Sequence, residues 1–229
     1  MPKIFLKRWQ KMIETILSGF FFWFIVVTNI ASDRFGYQTF SDLDAEAQLQ
    51  KINDNPKRFK TGFMLILIEH VGIICLTLTL FFAFNSYSII LAVVWAVSRT
   101  IEALIQIFYK KSYYQLTSIA QEYSKAGDSE KTALEDTALT ILRTKNTVFT
   151  VAQVLFSIGT LAYSVLFATS TGVPDIIGWF GIVAGSIYGL GSAIKLVKAD
   201  FKVLWSIGGL LILIFELVIG GWLLFSSLI

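Results

Sequence analysis

Six long apolar stretches constrain this chain more than any other feature of its sequence. They run from Ile13 to Ala31, Gly62 to Phe84, Tyr87 to Tyr109, Thr147 to Thr169, Ile176 to Val197 and Val203 to Leu228. A helix needs about 20 mostly apolar residues to cross the hydrocarbon core of a bilayer, and each stretch meets that length. They are far longer than the alternating segments of about 10 residues that build a membrane barrel. Of the 229 residues 55% are hydrophobic and 15% charged, where a soluble domain carries about 25% charged residues. With a mean hydropathy of +0.68, one soluble core of this size has no room for so much apolar surface, and lipid must cover the remainder. The predicted fold class is therefore all-α: an integral membrane six-helix bundle forming a single domain over residues 1–229.

Lys3, Lys7, Arg8 and Lys11 precede the first apolar run in the manner of a secretory leader. The run from Ile16 to Ala31 is long for a leader's hydrophobic region, and Thr28 to Ala31 makes a poor cleavage site. It reads as the first span. Spans two and three are joined by Asn85 and Ser86, and spans four and five by Ser170 to Asp175. Such short joints make antiparallel neighbours. The longer connections, 32–61 and 110–146, lie together on the opposite face. In the first, Ser41-Asp42-Leu43-Asp44 predicts a helix start capped by Ser41, and Asn55-Pro56 predicts its stop. In the second, Tyr113, Leu116, Ala120 and Tyr123 share one helical face, and Leu134, Ala138 and Ile141 another. With Gly127 as a C-cap and Asp128 or Ser129 as an N-cap, spans three and four extend into an extramembrane αα-hairpin. A pair of helices lying on the membrane surface is the alternative. The basic cluster before span one places the N-terminus on the cytoplasmic side of the cell membrane, although a count over all loops points the other way.

The net charge of +3 is small and its Lys and Arg residues lie in loops, which gives no support to nucleic-acid binding. Cys75 is the only cysteine, so neither a disulfide framework nor a thiolate metal site is available, and it reads as a small buried hydrophobe. The aromatic residues Phe20 to Trp23, Tyr109, Tyr113, Tyr114, Trp179 and Trp222 read mostly as lipid-facing or interfacial.

Ionisable groups inside spans carry more information, because each costs at least a few kcal/mol at the bilayer centre unless shielded or paired. Glu69 and His70 lie in span two, Arg99 and Glu102 in span three, and Glu216 in span six. Arg99 reads as the sole fixed positive charge within the spans. Trp95, Arg99, Glu102 and Gln106 fall on one helix face, so that stripe is expected to point into the bundle. At a rise of about 1.5 Å per residue, Glu69 and Glu102 lie roughly 10 Å from the face bearing the long connections, Arg99 roughly 15 Å and Glu216 roughly 20 Å. Arg99 is thus expected between carboxylates of its own helix, its hairpin partner and span six, with donors enough to engage two of them. The surplus negative charge calls for a proton or water. Glu69, His70, Arg99, Glu102, Gln106 and Glu216 are therefore the candidate ligand-binding or proton-linked residues.

Gly181, Gly185, Gly189 and Ala193 give span five a small-residue face suited to close helix packing. Gly189-Leu190-Gly191 has the letters of a dinucleotide loop but no preceding strand and no later glycine. Motifs for metalloproteases, serine hydrolases, redox dithiols and phosphate loops are missing from the sequence. One histidine cannot support a usual three-ligand catalytic zinc site without unusual carboxylate ligation, and no cofactor or metal is expected. An intramembrane dyad would need a serine or aspartate at His70.

Taken in order, Leu67-Ile68-Glu69, Ser98-Arg99-Thr100-Ile101-Glu102-Ala103, Ala120-Gln121-Glu122-Tyr123-Ser124-Lys125-Ala126-Gly127, Thr171-Gly172-Val173-Pro174, Gly178-Trp179-Phe180-Gly181, Phe215-Glu216-Leu217 and Trp222-Leu223-Leu224 resemble the multi-pass prokaryotic membrane family filed as domain of unknown function 4386. The resemblance covers most of the chain. It implies six helices, an Arg/Glu cluster within the membrane and no stated activity. Family members usually carry a basic residue in the short turns, whereas here Asp175 follows Pro174 and Asn85-Ser86 are uncharged. Three functions compete: binding or transport of a small solute, lipid headgroup or proton; an accessory subunit whose charges serve helix assembly, with a membrane-protein partner or a second copy beside it; and an intramembrane enzyme. The bilayer is a partner in each.

Overall fold

The computed structural model describes residues 3–170 and 172–226. Its helices are α1 (Lys3–Arg34), α2 (Ala45–Asp54), α3 (Pro56–Phe84), α4 (Ile89–Tyr114), α5 (Leu116–Tyr123), α6 (Asp128–Thr169), α7 (Asp175–Val197) and α8 (Val203–Phe225). Six are long and apolar enough to cross a membrane, namely α1, α3, α4 continued by α5, α6, α7 and α8. The sequence places the end of the last span at Leu228, which lies outside the described residues.

Local chemistry sets the helix ends. Gly36 ends α1 with φ +90°, a conformation open to glycine because it lacks a Cβ. There Tyr37 N–H returns to Ser32 O at 3.0 Å and Gly36 N–H to Asp33 O at 2.9 Å, which satisfies carbonyls the last turn leaves free. Asp44, not Ser41, caps α2 by accepting from Ala47 N–H, and Ser41 is drawn away to α6. Asn55 closes α2 and caps α3, with Pro56 in the first turn. The hairpin turn is longer than Asn85-Ser86: Ser88 caps α4 by accepting from Leu91 N–H, so Tyr87 belongs to the turn. Gly127 has φ −77° and ψ 169° and is the N-cap of α6, not a C-cap.

The membrane helices form a closed ring. α1 packs on α3, α3 on α4, α4 on α6, α6 on α7, α7 on α8, and α8 returns to α1. Glycines permit the tightest of these approaches. A Cβ on Gly178 would stand 2.3 Å from Ala168 N of α6, and one on Gly181 would meet Ser164 Oγ at 2.3 Å. Gly185 faces Thr160 and Leu161, and Gly189 faces Ser157. The small-residue face of α7 thus packs on the small-residue face of α6.

Two apolar cores result. One fills the ring toward the short-turn face, where Tyr163 packs on Trp95, Phe167 and Phe215 at ring separations of 4.5, 5.3 and 5.8 Å. The other lies toward the long connections, where Leu49, Ile52, Tyr113, Leu116, Ala120 and Leu142 join α2, α4, α5 and α6. Helix α6 has 42 residues and at about 1.5 Å per residue is roughly twice as long as the hydrocarbon core is thick. Its first half with α5 is the extramembrane hairpin, braced by α2. Burial of Phe22 and Tyr113 corrects their assignment to lipid or interface.

Candidate functional site

The ring is not filled throughout its length. Between the aromatic layer and the long connections it encloses a cavity of about 520 Å³, to which α1, α3, α4, α6, α7 and α8 all contribute. Glu69, His70, Arg99, Glu102, Gln106 and Glu216 all line it. They come from three helices, and the ring closure turns each toward the same space.

Arg99 and Glu102, 2% and 3% exposed, form an ion pair through Nη1 and Oε2, and Gln106 donates to the other Glu102 oxygen at 3.4 Å. The guanidinium lies 4.5 Å from the Phe156 ring centre and 5.3 Å from that of Trp95. Gly159 makes room for its stem, since a Cβ there would be 3.2 Å from Arg99 Cγ. On α3, His70 Nδ1 lies 2.6 Å from Ile66 O and 2.7 Å from Glu69 Oε2, and Asn29 Nδ2 donates to Glu69 at 3.4 Å. Arg99 therefore engages one carboxylate by hydrogen bond, that of its own helix. Glu216 has no hydrogen-bond partner among the described residues. Buried Arg99 Nε and His70 Nε2 also lack one. Such groups cost free energy unless something enters to meet them.

A loop roofs the cavity on the side of the long connections. Lys110 donates to Tyr37 Oη at 2.8 Å. Lys145 donates to Gln38 O and to Ser41 Oγ, the latter at 2.7 Å. Asn146 accepts from Ser41 N–H at 2.9 Å and donates to Ser41 O at 2.8 Å. Lys195 Nζ sits 3.4 Å from the Phe40 ring centre and 3.6 Å from that of Trp205. Burial pushes the Tyr37 hydroxyl well above the usual phenol range, so it stays protonated beneath Lys110.

These roof contacts are what residue-by-residue reading misses. Lys195 lies within α7, so Arg99 is not the sole positive charge on a spanning helix. Lys110 and Lys145 are buried although both belong to a connection rich in charge. The legible signal was the run Tyr37 to Ser41, which supplies the Tyr37 hydroxyl, the Gln38 carbonyl, the Phe40 ring and the Ser41 hydroxyl to three cations, but only the fold brings them together. Among the described residues no group of His, Cys, Asp and Glu side chains is arranged to hold a metal ion.

The family described as Domain of unknown function (DUF4386) matches residues 17–226, and the chain belongs to it. No curated protein and no solved structure matches the chain.

Proposed function

We propose that this member of the family is a non-enzymatic multi-pass protein of the cell membrane that binds or transports a small solute, lipid headgroup or proton in the cavity around Glu69, Arg99, Glu102 and Glu216. One observation carries the reading: a cavity of about 520 Å³ reaches polar groups that the protein leaves unmatched. Ligand sites typically fall between about 300 and 1,000 Å³, with a few polar groups set in apolar walls. The aromatic layer of Trp95, Tyr163 and Phe215 closes one end, which favours a pocket served from one side over an open channel.

A helix-assembly role accounts for the Arg99–Glu102 pair but gives no reason to leave Glu216, which Arg99 attracts, without a hydrogen bond on a cavity wall. The glycine face of α7 is occupied by α6, which weakens the case for partner docking there. For an enzyme, His70 offers little support, since its neighbours are Ile66 O and Glu69 and neither is a serine or an aspartate. We place both termini inside the cell, on the strength of the basic cluster that opens α1 ahead of its apolar run.

A high-resolution electron cryomicroscopy map of the protein in lipid nanodiscs tests the binding reading. Ordered water or ligand density beside Arg99 and Glu216 is expected. A collapsed site, with Glu216 paired and no density between the side chains, would overturn it in favour of helix assembly.

A further inference from the structure

We propose that the cavity takes the ammonium head of an amphiphile that enters from the bilayer between α1 and α8, with Glu216 as its counter-ion. This rests on the cavity reading above and adds the ligand's charge and its route.

The route follows from the walls. The floor is the aromatic layer, and the loop bearing Tyr37 to Ser41 covers the opposite end. Along the sides, α1 and α8 meet closely toward the short-turn face: a Cβ on Gly19 would stand 2.6 Å from Leu224 N, and Trp23 Nε1 donates to Leu217 O at 3.2 Å. Toward the roof the same two helices line space. Ile30 of α1 and Gly209 and Leu213 of α8 border the cavity, and Ile30 and Leu213 are 52% and 36% exposed. This seam lies within apolar stretches, so what it opens to is hydrocarbon. An alkyl chain can remain there while a polar head enters the ring.

The charge follows from the pairing. Glu102 is held by Arg99, Glu69 contacts His70, and Lys110 is turned to Tyr37. Glu216 makes no hydrogen bond among the described residues, and its nearest opposite charge, Arg99, is already engaged by Glu102. It shares a face of α8 with Leu213 and Gly209, three and seven residues earlier, so it lies one to two turns deeper than the seam. A cation arriving by that route meets this carboxylate without breaking a hydrogen bond to it. Glu69, whose Oε2 lies 2.7 Å from His70 Nδ1, lines the same cavity and sets a second carboxylate near the head.

The test uses the full chain in maltoside micelles, whose uncharged heads do not compete, with thermal unfolding as readout. The probes are decylammonium, ethylammonium and decyl sulfate. Decylammonium is expected to raise the unfolding midpoint, and the other two to leave it in place at equal concentration. Glu216→Gln should weaken decylammonium at least about tenfold, the scale of a hydrogen bond to a charged group. Gly209→Phe should weaken it similarly by plugging the seam. A Cβ at Gly209 meets only Tyr188 Cε2, at 3.5 Å, so that variant starts in ordinary contact. Ile30→Trp on the opposite lip is the second plug. Equal stabilisation by decyl sulfate would overturn the ligand's charge. Stabilisation by ethylammonium that neither plug affects would overturn the lipid route. Parent-like decylammonium binding by Glu216→Gln would overturn the counter-ion. No response to any probe, with water or other density present in the nanodisc map, would sink this inference and leave the cavity reading standing; a dry, collapsed site would end both.

Discussion

Replacing Arg99 by methionine removes a guanidinium that is 2% exposed while keeping most of its apolar stem. Glu102, 3% exposed, then loses its ion-pair partner. Removing one member of a buried pair costs about 3–5 kcal/mol, because the remaining charge stays desolvated. Loss of the guanidinium from the Phe156 and Trp95 ring faces adds about 0.5–2 kcal/mol, partly offset by methionine packing on the same rings. Folding free energies of about 5–15 kcal/mol leave little margin for such a loss, so Arg99→Met should unfold at a much lower denaturant concentration than the parent. Glu102→Gln should also destabilise, through the opposite orphan. The double variant strands neither charge and should recover at least about half of the loss, with a coupling of about 1–3 kcal/mol. The assay is reversible denaturation of the parent, the two single variants and the double variant in micelles at neutral pH. An Arg99→Met protein as stable as the parent would mean that Arg99 has no buried anionic partner. A double variant no better than Arg99→Met, together with recovery in Arg99→Met/Glu216→Gln, would move the partnership to Glu216.

The helix contacts and the topology give three further expectations. Gly178→Ala should lower the yield and thermal stability of folded protein more than Gly185→Ala, because the new Cβ stands 2.3 Å from α6 backbone at the first site and 3.3 Å from a threonine methyl at the second; the reverse order would show that α6 and α7 approach differently. Gly159→Ala should destabilise in the direction of Arg99→Met by pressing on the Arg99 stem, and should do so less once Arg99 is methionine; equal losses in both backgrounds would show that the contact is not felt. Cysteines placed at positions 85 and 127 should label from opposite sides of the membrane, with position 85 on the side of the N-terminus, and labelling of both from one side would rule out six alternating spans.

The spans were legible because lipid demands length and apolarity of each helix separately, and a periodic stripe such as Trp95, Arg99, Glu102 and Gln106 needs no knowledge of the rest. Helix caps were less so. Ser41 and Gly127 both have the right chemistry for the roles read from them, but Ser41 is claimed by Lys145 and Asn146 from about a hundred residues away, and Gly127 begins a helix where it was expected to end one. Glu69, His70, Arg99, Glu102 and Glu216 could be named from sequence, whereas Lys195 at the end of α7 was missed and the pairing could not be read. Three carboxylates surround Arg99 by depth alone, yet rotation about the helix axes selects Glu102. Burial of Lys110 and Lys145 was hidden for a related reason: a charged connection reads as solvated until a second core, built from α2, α5 and the first half of α6, covers it.

That second core bears on where the ring can open. Each buried lysine would be costly without compensation, and in each case the compensation comes from the loop between Tyr37 and Ser41. Lys110 stands on α4, Lys145 on α6 and Lys195 on α7, while the loop itself hangs between α1 and α2. A single segment thereby ties three consecutive members of the ring together at the end bearing the long connections. Helix α8 joins this set through Trp205, whose ring lies tilted against Phe40 with centres 5.7 Å apart, a contact without a hydrogen bond. The junction of α8 with α1 is fastened elsewhere, by Gly19 against Leu224 and Trp23 against Leu217, toward the opposite face of the membrane. Between those contacts and the roof, Val26, Ile30, Gly209 and Leu213 border the cavity and their aliphatic surfaces offer no directional bond to hold the seam shut. Separation there would break no hydrogen bond among the described residues, which is what the proposed route to Glu216 requires.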